Sequence, residues 1–112
     1  MPVLKVQTNT EVADKQKLMH DATELLSHVL RKPIQYIMVI VETNVDMIFA
    51  GNDKPLAYVE LKSIGLSENE TTYISADLCN FLEERLNVPK DRIYIEFADA
   101  KRSMFGWNGG TF

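Results

Sequence analysis

Cysteine is nearly absent: Cys79 stands alone in 112 residues, which excludes an internal disulfide and a cysteine-based metal cluster. Basic charge is also short. Twelve Lys and Arg face 16 Asp and Glu, for a net charge of −4 and a pI near 5.1. A nucleic-acid partner needs a basic face, and an anionic membrane offers such a chain no attraction. No apolar run reaches the ~20 residues of a membrane span. Lys5, Gln7 and Asn9 break up the start of the chain before a signal-peptide h-region can form. A cytoplasmic protein is the expectation, and the sequon Asn69-Glu70-Thr71 is then accidental. There is no glycine-rich phosphate loop and no serine-centred nucleophile elbow. His20 and His28 are eight residues apart on one helical stretch, too far to share a metal from adjacent turns, and read as surface histidines.

What is present is an ordinary soluble composition, 46% hydrophobic and 25% charged, in a length that suits one domain over residues 1–112. Val3 to Thr8 has the β-branched, partly alternating pattern of a strand. Thr10 is the expected N-cap of a helix whose apolar stripe runs through Leu18, Ala22, Leu25 and Val29, widened by Leu26 and Leu30. Arg31 and Lys32 fall in its expected last turn, where they complement the helix dipole, and Pro33 ends it. Ile34 to Val41 is dense in Ile, Val and Tyr, and predicts a strand buried on both faces. Val45 to Phe49 could add a short strand, before a turn over Gly51 to Pro55. Leu56 to Ile64 then predicts a strand with one more polar face. Ser67 and Glu70 form a capping box for a second helix, with Ile74, Leu78, Phe81, Leu82 and Leu86 on its apolar side. Cys79 beside that stripe reads as a small core residue. Arg92 to Phe97 is a further strand, Ile93, Ile95 and Phe97 on one face, Tyr94 and Glu96 on the other.

The order β-α-β therefore occurs twice, as a pseudo-repeat of residues 1–50 and 51–112. Two such units give an α+β two-layer sandwich: a four-stranded sheet with both helices on one face. The other face is left bare, and an exposed patch of that size marks an interface. The tail from Met104 to Phe112 carries three aromatic residues around Asn108-Gly109, a dipeptide suited to a tight hairpin. We expect it to enter a neighbouring subunit, since the repeat already has a complete core.

The chemistry starts at Met1-Pro2. Removal of Met1, favoured by the small residue after it, leaves a secondary amine on a rigid ring. At the head of an apolar strand that amine is desolvated and its pKa falls. Lys32, just before the strand expected beside the first, would sit near Pro2, lower the amine pKa further by charge repulsion, and hold an anionic substrate.

Met1-Pro2, Thr8-Asn9, Lys32-Pro33, Gln35-Tyr36-Ile37, Ser63-Ile64-Gly65, Arg92-Ile93-Tyr94-Ile95, Gly106-Trp107-Asn108 and Thr111-Phe112 occur together in an order that resembles the macrophage migration inhibitory factor family of the tautomerase superfamily. The resemblance covers the whole chain. It implies a homotrimer whose three sheets line a central barrel, with active sites between subunits. It implies that Pro2 is the general base and acid in keto-enol tautomerisation of phenylpyruvate-like 2-keto acids. Lys32 and the backbone amide of Ile64 would bind the carboxylate or developing oxyanion. Tyr94 (from the neighbouring subunit), Trp107 and Phe112 would form an aromatic wall, with Tyr36 at the rim. No cofactor is implied, because the carbonyl itself stabilises the carbanion as an enolate.

Three positions depart from the family pattern. Glu96 replaces a neutral amide facing the substrate, and predicts weaker or altered binding of anionic substrates unless it turns away or finds a partner. The stretch Leu56-Ala57-Tyr58-Val59 lacks a Cys-x-x-Cys pair, so thiol-disulfide chemistry is unsupported. Phe105 is bulkier than the usual aliphatic residue and narrows the expected pocket mouth. The alternative function implied by animal relatives is a cytokine-like signalling or binding protein that engages a protein receptor. A ferredoxin-like nucleic-acid binder has the same element order but fails on the acidic pI and on the lack of an aromatic-basic strand motif.

Overall fold

A computed structural model describes residues 1–112. The chain runs β1 (Val3–Thr8), α1 (Lys15–Leu30), β2 (Met38–Glu42), β3 (Ala57–Ile64), α2 (Glu68–Leu86), β4 (Ile93–Ala100), and a terminal hairpin of β5 (Gly106–Trp107) and β6 (Gly110–Thr111). The four long strands form one sheet in the order β2-β1-β3-β4. β1 pairs parallel with β2 and antiparallel with β3, and β3 pairs parallel with β4. Each parallel pair is joined through a helix, so the fold is the α+β two-layer arrangement expected from the duplicated β-α-β order. No helix is long and apolar enough to cross a membrane.

The core lies between the sheet and the helices. β1 buries every second residue, Leu4, Val6 and Thr8, and β3 buries Ala57, Val59, Leu61 and Ser63 on the same side. α1 meets them with Leu18, Ala22 and Leu26. α2 does so with Ile74, Leu78, Leu82 and Leu86, one residue per turn. Leu25, Val29, Phe81 and Cys79 pack half-buried at the margin. Burying a leucine side chain of this kind contributes about 2 kcal/mol. His20 and His28 are exposed on α1.

Thr10 is not the cap of α1. Asp14 is, its Oδ1 accepting from the Lys17 N–H at 3.0 Å. Thr10 instead belongs to a corner: its hydroxyl lies 3.0 Å from that of the buried Thr8, and its carbonyl accepts from the Asn44 N–H. Asn9 completes the corner by accepting from the Leu56 N–H at 3.0 Å and donating to the Asp53 carbonyl. The capping box of α2 is present as expected, with Ser67 and Glu70 bonded reciprocally.

The second strand is shorter than Ile34 to Val41 suggests. Ile34–Tyr36 is a turn of 3-10 helix, closed by Tyr36 N–H to Pro33 O and Ile37 N–H to Ile34 O. Pairing starts at Met38, whose N–H reaches the Pro2 carbonyl at 3.0 Å. Nor is β2 buried on both faces. It is an edge strand of this subunit, with Met38 58% exposed. Val45 to Phe49 forms no strand; Asn44 takes a left-handed turn, and only a single bridge joins Phe49 to Asn52.

The tail folds differently from expectation. It does form a hairpin, with Asn108 and Gly109 both at positive φ, as a two-residue connection requires. The aromatic residues then return onto their own subunit. Trp107 stacks on Phe112 at 5.5 Å, and Tyr36 meets both rings edge-on. The Phe112 N–H bonds the Phe105 carbonyl at 3.1 Å. Tyr36 gives the tail an intramolecular partner that the two-layer core alone does not offer.

Candidate active site at the chain start

The hairpin, the end of α1 and the end of β3 converge on the start of β1. A cavity of about 290 Å³ opens there, lined by Met1, Lys32, Tyr36, Ile64, Arg102, Trp107 and Phe112 together with Pro33. Met1 is 6% exposed and the Pro2 side chain is fully buried. Burial, and secondarily the nearby Lys32 charge, hold the terminal amine below its ordinary pKa of 8.0.

Lys32 is placed by the way α1 ends. The helix stops at Leu30, and Arg31 turns left-handed at φ 55° as its C-cap, so Lys32 lies beyond the last turn rather than in it. Its backbone is held from both sides by Ser27. The Lys32 N–H donates to the Ser27 carbonyl at 3.2 Å, and the Ser27 hydroxyl donates to the Lys32 carbonyl at 2.6 Å. The ammonium then reaches across to the Ile64 carbonyl at 3.3 Å. One N–H is engaged there, and an ammonium has two more for an anion. Ile64 is the last residue of β3, directly before Gly65, whose φ of 78° turns the chain away.

Tyr94 and Glu96 stand apart from this group, and Phe105 lies at its edge. Tyr94 is at the other end of the sheet, paired with Tyr58 in register and 63% exposed. Its ring meets Phe49 edge-on at 4.8 Å. Phe49 is itself covered by Arg92, whose guanidinium donates to the carbonyls of Phe49, Asn52, Lys54 and Pro55. Arg92 thus clamps the loop that backs Tyr94. Glu96 lies on the open sheet face and accepts from the Tyr58 hydroxyl at 2.9 Å, with Glu60 at 3.3 Å on the other side. Glu96 chiefly, by this hydrogen bond, pushes the Tyr58 pKa up to about 12. Phe105 borders both an open-face hollow of about 320 Å³ and the aromatic side of the Met1 region. That hollow is lined by Lys5, Lys62, Glu60 and Glu96, so its charges balance. The chain-start cavity holds cations and no acid, which makes it the better anion site.

Two residues of this site carry no sequence signal of their own. Ser27 reads as an ordinary helix residue, and its hold on Lys32 depends on the left-handed cap. Arg102 comes to the cavity through the 3-10 turn Arg102–Met104 after β4. No three His, Cys, Asp or Glu side chains gather where they could hold a metal ion.

The family model for macrophage migration inhibitory factor matches residues 1–112. The macrophage migration inhibitory factor of Meriones unguiculatus is 38% identical, with 100% of this chain and 99% of that protein aligned. The homolog from Trichinella spiralis is 33% identical over 100% of both chains. The crystal structure of a homologue from Prochlorococcus marinus superposes with a TM-score of 0.94 at 39% identity, covering 98% of each chain. The chain belongs to the macrophage migration inhibitory factor family, within the tautomerase superfamily.

Proposed function

We propose that the protein is a cofactor-independent keto-enol tautomerase acting on enolisable 2-keto acids, with Pro2 as its base once Met1 is removed. The observation that carries this reading is the buried chain start beside Lys32, where the terminal amine is held below its ordinary pKa. The nitrogen of Pro2 lies one residue further in, on a residue whose side chain is fully buried. As a neutral amine it takes a proton from the carbon next to the substrate carbonyl. The C–H electrons form the new C=C bond and the carbonyl pair moves onto oxygen. The prolinium then returns its proton to that oxygen, completing the enol. Lys32 and the Ile64 N–H receive the carboxylate or the developing oxyanion, and a fixed donor is worth most in a water-poor cavity. Trp107, Phe112 and Tyr36 supply the apolar wall.

Tyr94 is remote from the cavity of its own subunit, so the reading includes a homotrimer in which a neighbour delivers it, with Glu96 on the same strand. A phenylpyruvate tautomerase assay tests the chemistry on protein whose intact mass shows Met1 gone. Pro2→Gly is expected to lower kcat/KM by about 10³-fold, within the range for losing a positioned acid-base group. Native-like rates in Pro2→Gly would remove the proposed base. A second reading, a signalling protein that engages a receptor, is favoured by relatives named as migration inhibitory factors. Receptor binding that survives Pro2→Gly would separate it from the enzymatic role.

A further inference from the structure

Arg102 is outside every motif that carries the family resemblance, yet it shares a cavity wall with Lys32. No Asp or Glu of the same subunit lines that cavity, although the chain as a whole has a net charge of −4. Arg102 makes no ion pair; those of the chain involve Lys5, Lys17, Arg31, Arg85 and Lys90. Asp99, the acid nearest along the chain, is engaged elsewhere, its Oδ1 accepting from the N–H groups of Gly65 and Leu66 at 2.9 and 3.1 Å. The turn carrying Arg102 is fixed at both ends. The Met104 N–H bonds the Lys101 carbonyl and the Phe105 N–H bonds the Arg102 carbonyl, while the Phe105 carbonyl receives the N–H of Phe112. The cation therefore stands on the same small unit as the aromatic wall.

We propose that Arg102 is a specificity-determining residue, and that the preferred substrates are 2-keto diacids rather than 2-keto acids with an apolar end. This rests on the tautomerase reading above. Lys32, half-buried and bonded to the end of β3, takes the carboxylate beside the reacting carbonyl. Arg102, exposed at the mouth, takes the remote one, with a planar fork that matches a carboxylate in a way a lysine does not. A 2-keto acid with an aromatic end fills the same cavity but leaves Arg102 unpaired.

The test has a kinetic and a binding arm. In the first, kcat/KM is measured for oxaloacetate and for phenylpyruvate on mature protein. Arg102→Ala should lower the ratio of the two by about tenfold, the worth of one charge-assisted contact at a partly exposed site. Lys101→Ala, a cation one residue away and off the cavity wall, should leave the ratio unchanged. In the second, glutarate and butyrate are titrated against the fluorescence of Trp107, the only tryptophan, in the Pro2→Gly background. Glutarate should bind more tightly, lose that advantage in Arg102→Ala, and regain part of it in Arg102→Lys. Equal effects of Arg102→Ala and Lys101→Ala on the ratio would overturn the proposal, as would equal binding of glutarate and butyrate. The binding arm needs no turnover. Activity retained by Pro2→Gly would therefore remove the proposed base without bearing on Arg102.

Discussion

A proline nitrogen is a useful base only if something keeps it neutral, and here two causes act together. On the Met1 terminal amine burial comes first and the Lys32 charge second, and the proposed chemistry carries both over to the proline amine that replaces it. Because the folded pKa of a buried amine is lowered, the neutral form prevails down to a lower pH than for a free amine. The acid limb of the kcat/KM profile should thus lie below the pKa of a free N-terminal proline amine. Lys32→Gln removes the charge but not the burial. It should move that limb upward without restoring the free-amine value, and lower kcat/KM by about 10²-fold as an oxyanion partner is lost. A limb that stays in place would show that Lys32 does not act on the amine. Within its own subunit Glu96 accepts a hydrogen bond from the Tyr58 hydroxyl on the open face. Spectrophotometric titration of the four tyrosines should show one phenolate forming only near pH 12. In Glu96→Gln that late step should move toward the others.

At the scale of elements, what could be read in advance follows from how local each cause is. The capping box of α2 is four consecutive residues, and it formed as written. The alternation of β1 and β3 survives because a one-residue slip would turn each buried set to the open face. Ile34 to Tyr36 misleads because its β-branched and aromatic residues favour a strand, while the turn after Pro33 takes the N–H groups of Tyr36 and Ile37 locally before the ladder begins. Thr10 misleads for the converse reason, since a buried neighbour, Thr8, claims its hydroxyl. The approach of Lys32 to the chain start was partly legible from the β-α-β order, but Arg102 depends on a turn and a tail hairpin that leave no periodic trace. α1 and α2 are also tied by charge. The Asp21 carboxylate accepts from Arg85 at 2.7 Å and from Lys17 at 3.2 Å. The hydrogen bond from Arg85, followed by that from Lys17, holds the Asp21 pKa below its ordinary 3.8. A depressed carboxylate stabilises the fold above its unfolded pKa, and this is lost as pH falls through the folded one. Asp21→Asn should lower Tm slightly at neutral pH, and the gap from wild type should close in acid below about pH 4.

At the scale of the molecule, one subunit leaves unfinished business on its sheet. The face away from the helices mixes Lys5, Tyr58, Glu60 and Lys62 with exposed apolar side chains at the β2 edge, Met38 and Ile40, and Ile48 protrudes at 75% exposure. Scattered residues of this kind need no cover, but a contiguous edge does. Sedimentation should find the native protein at three times its 12.8 kDa chain mass. Ile40→Asp with Ile48→Asp should shift it toward single subunits and cut turnover, since Tyr94 would no longer reach another chain's cavity. A fully active monomer would contradict the shared site.

The buried position of Met1 also orders events in time. A peptidase can trim only what protrudes, and in the finished fold this residue is 6% exposed beneath the tail aromatics. On the proposed chemistry the cut must therefore come while the chain is leaving the ribosome, before β3 exists to pair with β1 and long before Trp107 and Phe112 close over it. A molecule that folds first is sealed with its initiator in place. Each batch of protein then carries a record of its own synthesis, as the proportion of chains that were trimmed before β1 was paired on both sides.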